Sequence, residues 1–142
     1  MSKFYDQADE IAAVLADVPS LAGIKIVVDR QHDLLAELNK VIGRQTGNLI
    51  LIAWAGGDNK DPTSDVPRIE SSFTATLFSK PVIRKGEPPA DDIAEVIATT
   101  LHDWRPAAAS SFDERLIVTG IYPTDIPDLL AHQIRLTLTS QL

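Results

Sequence analysis

The chain has 142 residues, a formal net charge of −7 and no cysteine. This length fits one domain, because protein domains cluster around roughly 100–150 residues, and the missing cysteines exclude disulfides, thiolate catalysis and cysteine-ligated metal sites. The chain has a net negative charge, and its lysine and arginine residues are scattered. It is therefore a poor candidate for binding the phosphate backbone of nucleic acid.

The N-terminal part of the chain predicts a helix, a strand and a second helix. Pro19 ends the first helix, residues 24–28 are a short β-branched strand, and residues 30–42 predict a second helix that ends at Gly43. The first helix has apolar residues that share one face: Phe4, Ala8, Ile11, Ala12, Leu15 and Val18.

The middle of the chain predicts two strands joined by a polar loop. Residues 48–55 are apolar at odd and even positions alike, which is typical of a central strand covered on both faces. Gly56 and Gly57 are expected to break this strand, and the polar stretch that follows predicts a flexible loop over residues 56–67. Residues 68–79 alternate between apolar and polar side chains and predict the next strand.

The C-terminal part of the chain predicts a helix and two strands. Apolar residues recur at helical spacing over residues 91–104, and Pro106 closes this helix. Residues 115–122 predict a strand, residues 123–127 a turn, and residues 131–140 a final, half-exposed strand.

The predicted order of elements is α-β-α-β-β-α-β-β. Neighbouring strands in this order favour antiparallel hairpins, so we expect an α+β fold with a mostly antiparallel sheet and helices packed on one face. One such domain is expected to span residues 1–142. The loop over residues 56–67 is the one long break that we predict inside the sheet, and long loops in compact domains are often functional.

No assembled set of catalytic or metal-binding residues is evident in the sequence. His32, His102 and His132 lack the spacing of a metal-binding histidine pair. The acidic loop does not place oxygen ligands at the positions that a calcium-binding EF-hand needs. His102 lies beside Asp103 and is the one candidate general base, but an ordinary boundary histidine is the simpler interpretation. We therefore predict no enzyme activity, no metal and no cofactor.

The ends of the chain carry no recognisable targeting segment. No basic region precedes an apolar core near Met1, so we expect no signal peptide. The longest apolar run, residues 49–55, is much shorter than the ~20 residues that a membrane-spanning helix needs. The expectation is a soluble, intracellular protein.

Five segments, taken in order, resemble a known family: FYDQADEIAAVLADVP, NLILIAWA, RIESSFTATLFSKP, ADDIAEVIATTLHDW and AHQIRLTLTS. Their layout is similar to that of the tail terminator proteins, also called minor tail or tail-completion proteins, of long-tailed bacteriophages and prophages. The resemblance covers nearly the whole chain. The segment DRQHDLLAELNKVIG departs from it, because a simpler connection is expected there.

The resemblance implies a structural protein of virion assembly that forms a homo-oligomeric ring, commonly a hexamer. Such rings cap the tail tube, which consists of the tail tube protein, and contact the head-completion proteins. The implied location is the host cytoplasm during assembly and then the virion tail, without membrane contact. DNA passes through the ring without sequence-specific binding, and an acidic lumen suits this because it repels phosphate.

The polar loop and its flanks are the predicted contact site for a neighbouring subunit or a partner. The loop has almost no apolar surface to bury, so we expect it to serve assembly and not folding. Its charges are suited to complementary charges on a partner. The candidate contact residues are Asp58, Lys60, Asp61, Asp65 and Arg68.

A second hypothesis is a small-molecule or peptide-binding α+β module, in which the sheet and helices enclose a pocket. Trp54, Phe73 and His102 are the candidate lining residues of that pocket. Packing in the core is the simpler interpretation for all three. A ring predicts a large mass in solution, whereas a pocket protein predicts a monomer or dimer that a ligand stabilises against heat.

Overall fold

A computed structural model describes residues 3–29, 48–79, 89–107, 114–126 and 129–141. The helix predicted over residues 30–42 lies outside these ranges. The described helices and strands are α1 (Lys3–Ala16), a short 3-10 helix (Pro19–Leu21), β1 (Lys25–Val28), β2 (Asn48–Asn59), β3 (Arg68–Ser79), α2 (Ala90–Leu101), β4 (Ile117–Ile126) and β5 (Leu129–Gln141).

The strands form one five-stranded sheet in the order β1-β2-β3-β5-β4. The pairs β2–β3, β3–β5 and β4–β5 are antiparallel, and β1–β2 is parallel. The predicted α+β fold with a mostly antiparallel sheet is therefore confirmed. The described elements run α-β-β-β-α-β-β, which differs from the predicted order by the helix that lies outside the described residues.

Both described helices pack on one face of the sheet, as predicted. Register places Ile52, Ala75 and Ile134 side by side on that face. All three are fully buried, and they belong to one core with the apolar faces of the helices. The helix residues buried in this core are Ala8, Ile11 and Leu15 of α1 and Ile93, Ala94, Ile97 and Leu101 of α2.

The strand β2 is buried on both faces over its first half, as its apolar sequence predicts. Ile50 and Ile52 face the main core. Leu49 and Leu51 point to the opposite face, where they join Phe78 in a second, smaller buried cluster.

The two glycines of β2 do not end the strand, so the predicted break is wrong. The strand continues to Asn59, with a register shift between Trp54 and Gly57. Gly56 adopts a φ of 102°, which favours glycine, and a Cβ on Gly57 would lie 2.6 Å from a methyl carbon of Ile69. The glycines therefore permit a bulge and a close approach to β3. The polar loop shortens to residues 60–67.

The helix α2 ends at Leu101, three residues before the predicted end. His102 is already extended, and Asp103 adopts a φ of 70°. The chain then turns alongside the approach to β4: the N–H of Asp103 donates to the oxygen of Leu116 (2.9 Å), and the N–H of Leu116 donates to the oxygen of Trp104 (2.8 Å). Trp104 still packs against the core, which explains why its spacing looks helical.

The turn predicted over residues 123–127 is wrong for residues 123–126, which belong to β4. The strand β4 pairs with β5 as far as Ile126 opposite Leu129. Pro123 is tolerated there because β4 is an edge strand, and an edge position does not require every N–H.

The outer edge of β4 is partly closed. The N–H of Val118 donates to Nδ1 of His102 at 3.1 Å, which extends the contacts that Leu116 makes with the turn after α2. A register shift follows between Val118 and Gly120, and Pro123 offers no N–H. Bulges, prolines and covering segments are the means by which proteins protect strand edges from unwanted pairing.

Replacing His102 with Ala removes the acceptor of the Val118 N–H. We expect this variant to lower the free energy of unfolding by about 1 kcal/mol. His102→Asn is the matched control, because the Oδ1 atom of asparagine takes a position similar to Nδ1 of histidine and accepts the same bond. Urea unfolding followed by circular dichroism measures both variants. Equal losses in the two variants would contradict a role for this hydrogen bond.

Candidate functional site

The loop of residues 60–67 connects β2 to β3 at one end of the sheet. The N–H of Lys60 donates to the oxygen of Arg68 at 2.8 Å and closes the base of the loop. All residues from 57 to 68 are exposed. The loop therefore adds little apolar burial to the fold, in line with its polar sequence.

Short-range polar bonds organise the loop. The Asp61 N–H donates to Oδ1 of Asn59 (3.0 Å), and the Thr63 hydroxyl donates to Oδ1 of Asp61 (3.2 Å). The Ser64 N–H donates to the backbone oxygen of Asp61 (3.2 Å), and the Val66 N–H donates to Oγ of Ser64 (3.4 Å). Asparagine, aspartate and serine commonly stabilise turns in this way.

The five predicted contact residues are distributed over β2, the loop and β3. Asp58 and Arg68 lie on strands β2 and β3, not in the loop. Lys60 forms an ion pair with Glu70 at 3.8 Å, and both side chains are exposed, so the pair contributes at most about 1 kcal/mol. Asp61 and Asp65 are exposed loop residues.

A cleft of about 190 Å³ lies beside the loop. It brings together two of the predicted contact residues, Asp61 and Arg68. The pairing of β3 with β5 places Gln141 opposite Arg68, which brings the end of β5 to the same place. The lining residues are Asp61, Ser64, Val66, Arg68, Glu114 and Gln141.

Sequence reasoning missed the most buried member of the cleft, Glu114. This residue lies just before β4 and is only 3% exposed. Buried glutamates are rare, because a carboxylate loses hydration when it leaves water. The local sequence carries no signal for this position. Glu114 reaches the cleft only through the fold.

The end of the sheet beside the cleft also has a polar interior. Nε2 of Gln7 donates to Oγ of Ser140 at 2.8 Å, and both residues are buried. Oε1 of Gln7 and Oγ of Ser71 are buried without a hydrogen-bond partner. Lys3 Nζ donates to the backbone oxygen of Gln141 at 2.6 Å, which joins the start of α1 to the end of β5.

The structure brings two of the three candidate pocket residues together: Trp54 and Phe73 lie opposite each other in the pairing of β2 with β3, whereas His102 lies at β4. Phe73 is fully buried in the core. Trp54 stacks on Phe4, with ring centroids 4.6 Å apart, and Tyr5 meets the Trp54 ring edge-on. His102 binds the backbone of β4, which is separated from β2 by β3 and β5.

Comparison with protein-family models and with curated proteins finds no match to this chain. The resemblance to tail terminator proteins therefore stays a hypothesis. Within the described ranges, no three histidine, aspartate or glutamate side chains are grouped so that they could hold a metal ion. No helix in the described part of the chain is long and apolar enough to cross a membrane.

The Gln7–Ser140 bond makes a prediction for the polar end of the core. Ser140→Ala leaves the buried Gln7 amide without its acceptor, so we expect the free energy of unfolding to fall by about 1–3 kcal/mol. Gln7→Met combined with Ser140→Ala removes both polar groups, and this double variant should be more stable than Ser140→Ala alone. Chemical denaturation measures the three proteins. A double variant that is less stable than Ser140→Ala would refute the explanation.

Proposed function

We propose that this protein is a structural subunit that assembles with copies of itself, as a ring-forming tail terminator or tail-completion protein of a phage or prophage. One observation carries the proposal. In the described part of the chain, four of the five exposed large apolar side chains lie on β4 or at the start of β5: Ile117, Ile121, Tyr122 and Leu130. The strand register places Ile121 and Leu130 on the face that carries the helices, and Ile117 and Tyr122 on the opposite face, so exposed apolar side chains flank this edge of the sheet on both faces. Exposed apolar side chains gathered at one edge are typical of protein–protein contacts.

Tyr122 and Arg135 add the residue types that are enriched in interfaces. The Arg135 guanidinium lies 4.2 Å from the centre of the Tyr122 ring. The ring covers Gly120, because a Cβ at that position would lie 2.6 Å from ring atoms. Tyrosine and arginine are common at the centres of binding surfaces, and this stacked arrangement is already ordered before any partner arrives.

Ring closure by rotation needs two different surfaces on each subunit. The described part of the chain offers exposed apolar side chains on both faces of the edge formed by β4 and the start of β5, and a separate polar surface at the loop and its cleft. These two surfaces support a head-to-tail contact within a ring. The axial partners in this proposal are a tail tube protein and a head-completion protein, on the resemblance alone.

The assembly is tested by the mass of the protein in solution. We expect light scattering to give several times the subunit mass and negative-stain images to show rings. Ile121→Lys places a charge in the apolar β4 surface and should leave a folded monomer, because burying an unpaired charge is unfavourable. Thr99→Lys adds the same charge to an exposed position on α2 and should assemble like the unmodified protein. A monomer at every concentration of the unmodified protein would refute the proposal.

The loop makes a separate prediction for assembly. Replacing residues 61–65 with a Gly/Ser linker of equal length should leave thermal unfolding nearly unchanged, because these residues bury little apolar surface. The same change should lower ring formation or attachment to tail tubes. Assembly equal to that of the unmodified protein would show that the loop has no role in it. Loss of folding would show that the core depends on the loop.

A further inference from the structure

His102 holds the edge of β4 through a ring nitrogen that must be free of a proton. Its Nδ1 atom accepts the N–H of Val118 at 3.1 Å. A neutral imidazole has one acceptor nitrogen and one N–H, whereas the protonated ring carries an N–H at both nitrogens. The contact therefore assigns the proton of the neutral ring to Nε2. A second proton, on Nδ1, would set two donors against each other.

The ring of His102 is open to solvent, so a proton can reach it. His102 is exposed and lies directly after α2, where the backbone has already become extended. Histidine is the side chain whose charge ordinarily changes between about pH 5 and 8. A ring that gains a proton in this range leaves the Val118 N–H without its acceptor.

The other contacts of the turn after α2 do not depend on this proton. The N–H of Asp103 donates to the oxygen of Leu116, and the N–H of Leu116 donates to the oxygen of Trp104. Asp103 also forms an ion pair with Arg115. These contacts keep the turn beside β4 when the ring moves away from Val118, so the proton acts on one hydrogen bond at the start of the strand.

The charged groups of the segments near the turn already have partners. Asp103, the carboxylate next to the ring in sequence, is paired with Arg115. Ile117 and Thr119, on either side of Val118, do not ionise, and neither do the residues of the last turn of α2. The remaining charged groups are Glu10 of α1, which accepts the N–H of Ala107, and Arg105 and Glu114, which also have interaction partners.

We infer that protonation of His102 opens the edge of β4 at Val118, so that pH controls how much of this edge can pair with another strand. β4 is the last strand of the sheet, so the released N–H faces no other strand of the chain. Only the neutral ring accepts the bond. Its contribution to stability is therefore present at high pH and is lost as the pH falls. This inference does not depend on the proposed function.

The test is hydrogen exchange at the Val118 amide in three full-length proteins that all carry Ile121→Lys, so that an assembly does not cover the edge. The first keeps His102. The second carries His102→Asn, whose Oδ1 accepts the bond at any pH, and the third carries His102→Ala, which has no acceptor. Mass spectrometry follows peptides that contain Val118 but not position 102, at about pH 8 and about pH 5. Comparing the proteins at one pH cancels the intrinsic pH dependence of exchange and the titration of groups that all three share.

The protein with His102 should exchange like His102→Asn at about pH 8 and like His102→Ala at about pH 5. We expect the exchange of His102→Ala to be about fivefold faster than that of His102→Asn, the factor expected for one hydrogen bond. If the protein with His102 follows the same variant at both values of pH, the inference is wrong. If His102→Asn does not fold, the other two proteins decide the matter, because they must differ at about pH 8 and agree at about pH 5.

Discussion

The antiparallel pairing of β3 with β5 runs from Arg68 opposite Gln141 to Ser79 opposite Leu130. Side chains alternate between the two faces of a strand, so a slip of one residue would move Phe73 and its core neighbours to the opposite face. The apolar faces of α1 and α2 pack on the correct side of this pair, which makes that slip costly. The same register brings the end of β5 to the base of the loop, and the cleft exists for that reason.

The core changes character along this pair of strands. Its middle is apolar, with Phe73 and Leu136 facing each other in register, both fully or almost fully buried. Towards the loop the buried residues become polar, with Ser71 and Ser140 on the sheet and Gln7 reaching them from α1. Only part of this polar set is paired, because Gln7 Oε1 and Ser71 Oγ have no hydrogen-bond partner. The directional Gln7–Ser140 bond is what favours one packing at this end of the core.

The sequence predicts most of the fold where the local pattern and the three-dimensional environment agree. The alternation over residues 68–79 matches the bounds of β3, and the apolar face of the first helix is buried as its spacing indicates. Prediction fails where a distant segment decides the local structure. Gly56 and Gly57 look like a strand break until Ile69 of β3 is seen beside them. No local sequence pattern predicts that Glu114 is buried, because its burial depends on segments far away in the chain.

The edge of β4 limits how copies of this chain can meet. Another strand can pair with an open strand edge and extend the sheet, and this addition of strands can be repeated without limit. Here Leu116 and Val118 already use their outward N–H groups on Trp104 and His102, and Pro123 has none to give. A neighbour that binds at this edge must then recognise side chains, either Ile121 on the face that carries the helices or Tyr122 on the opposite face. In the ring that we propose, the shape and placement of these side chains would set the angle between subunits, and a fixed angle is what gives a closed ring a defined size.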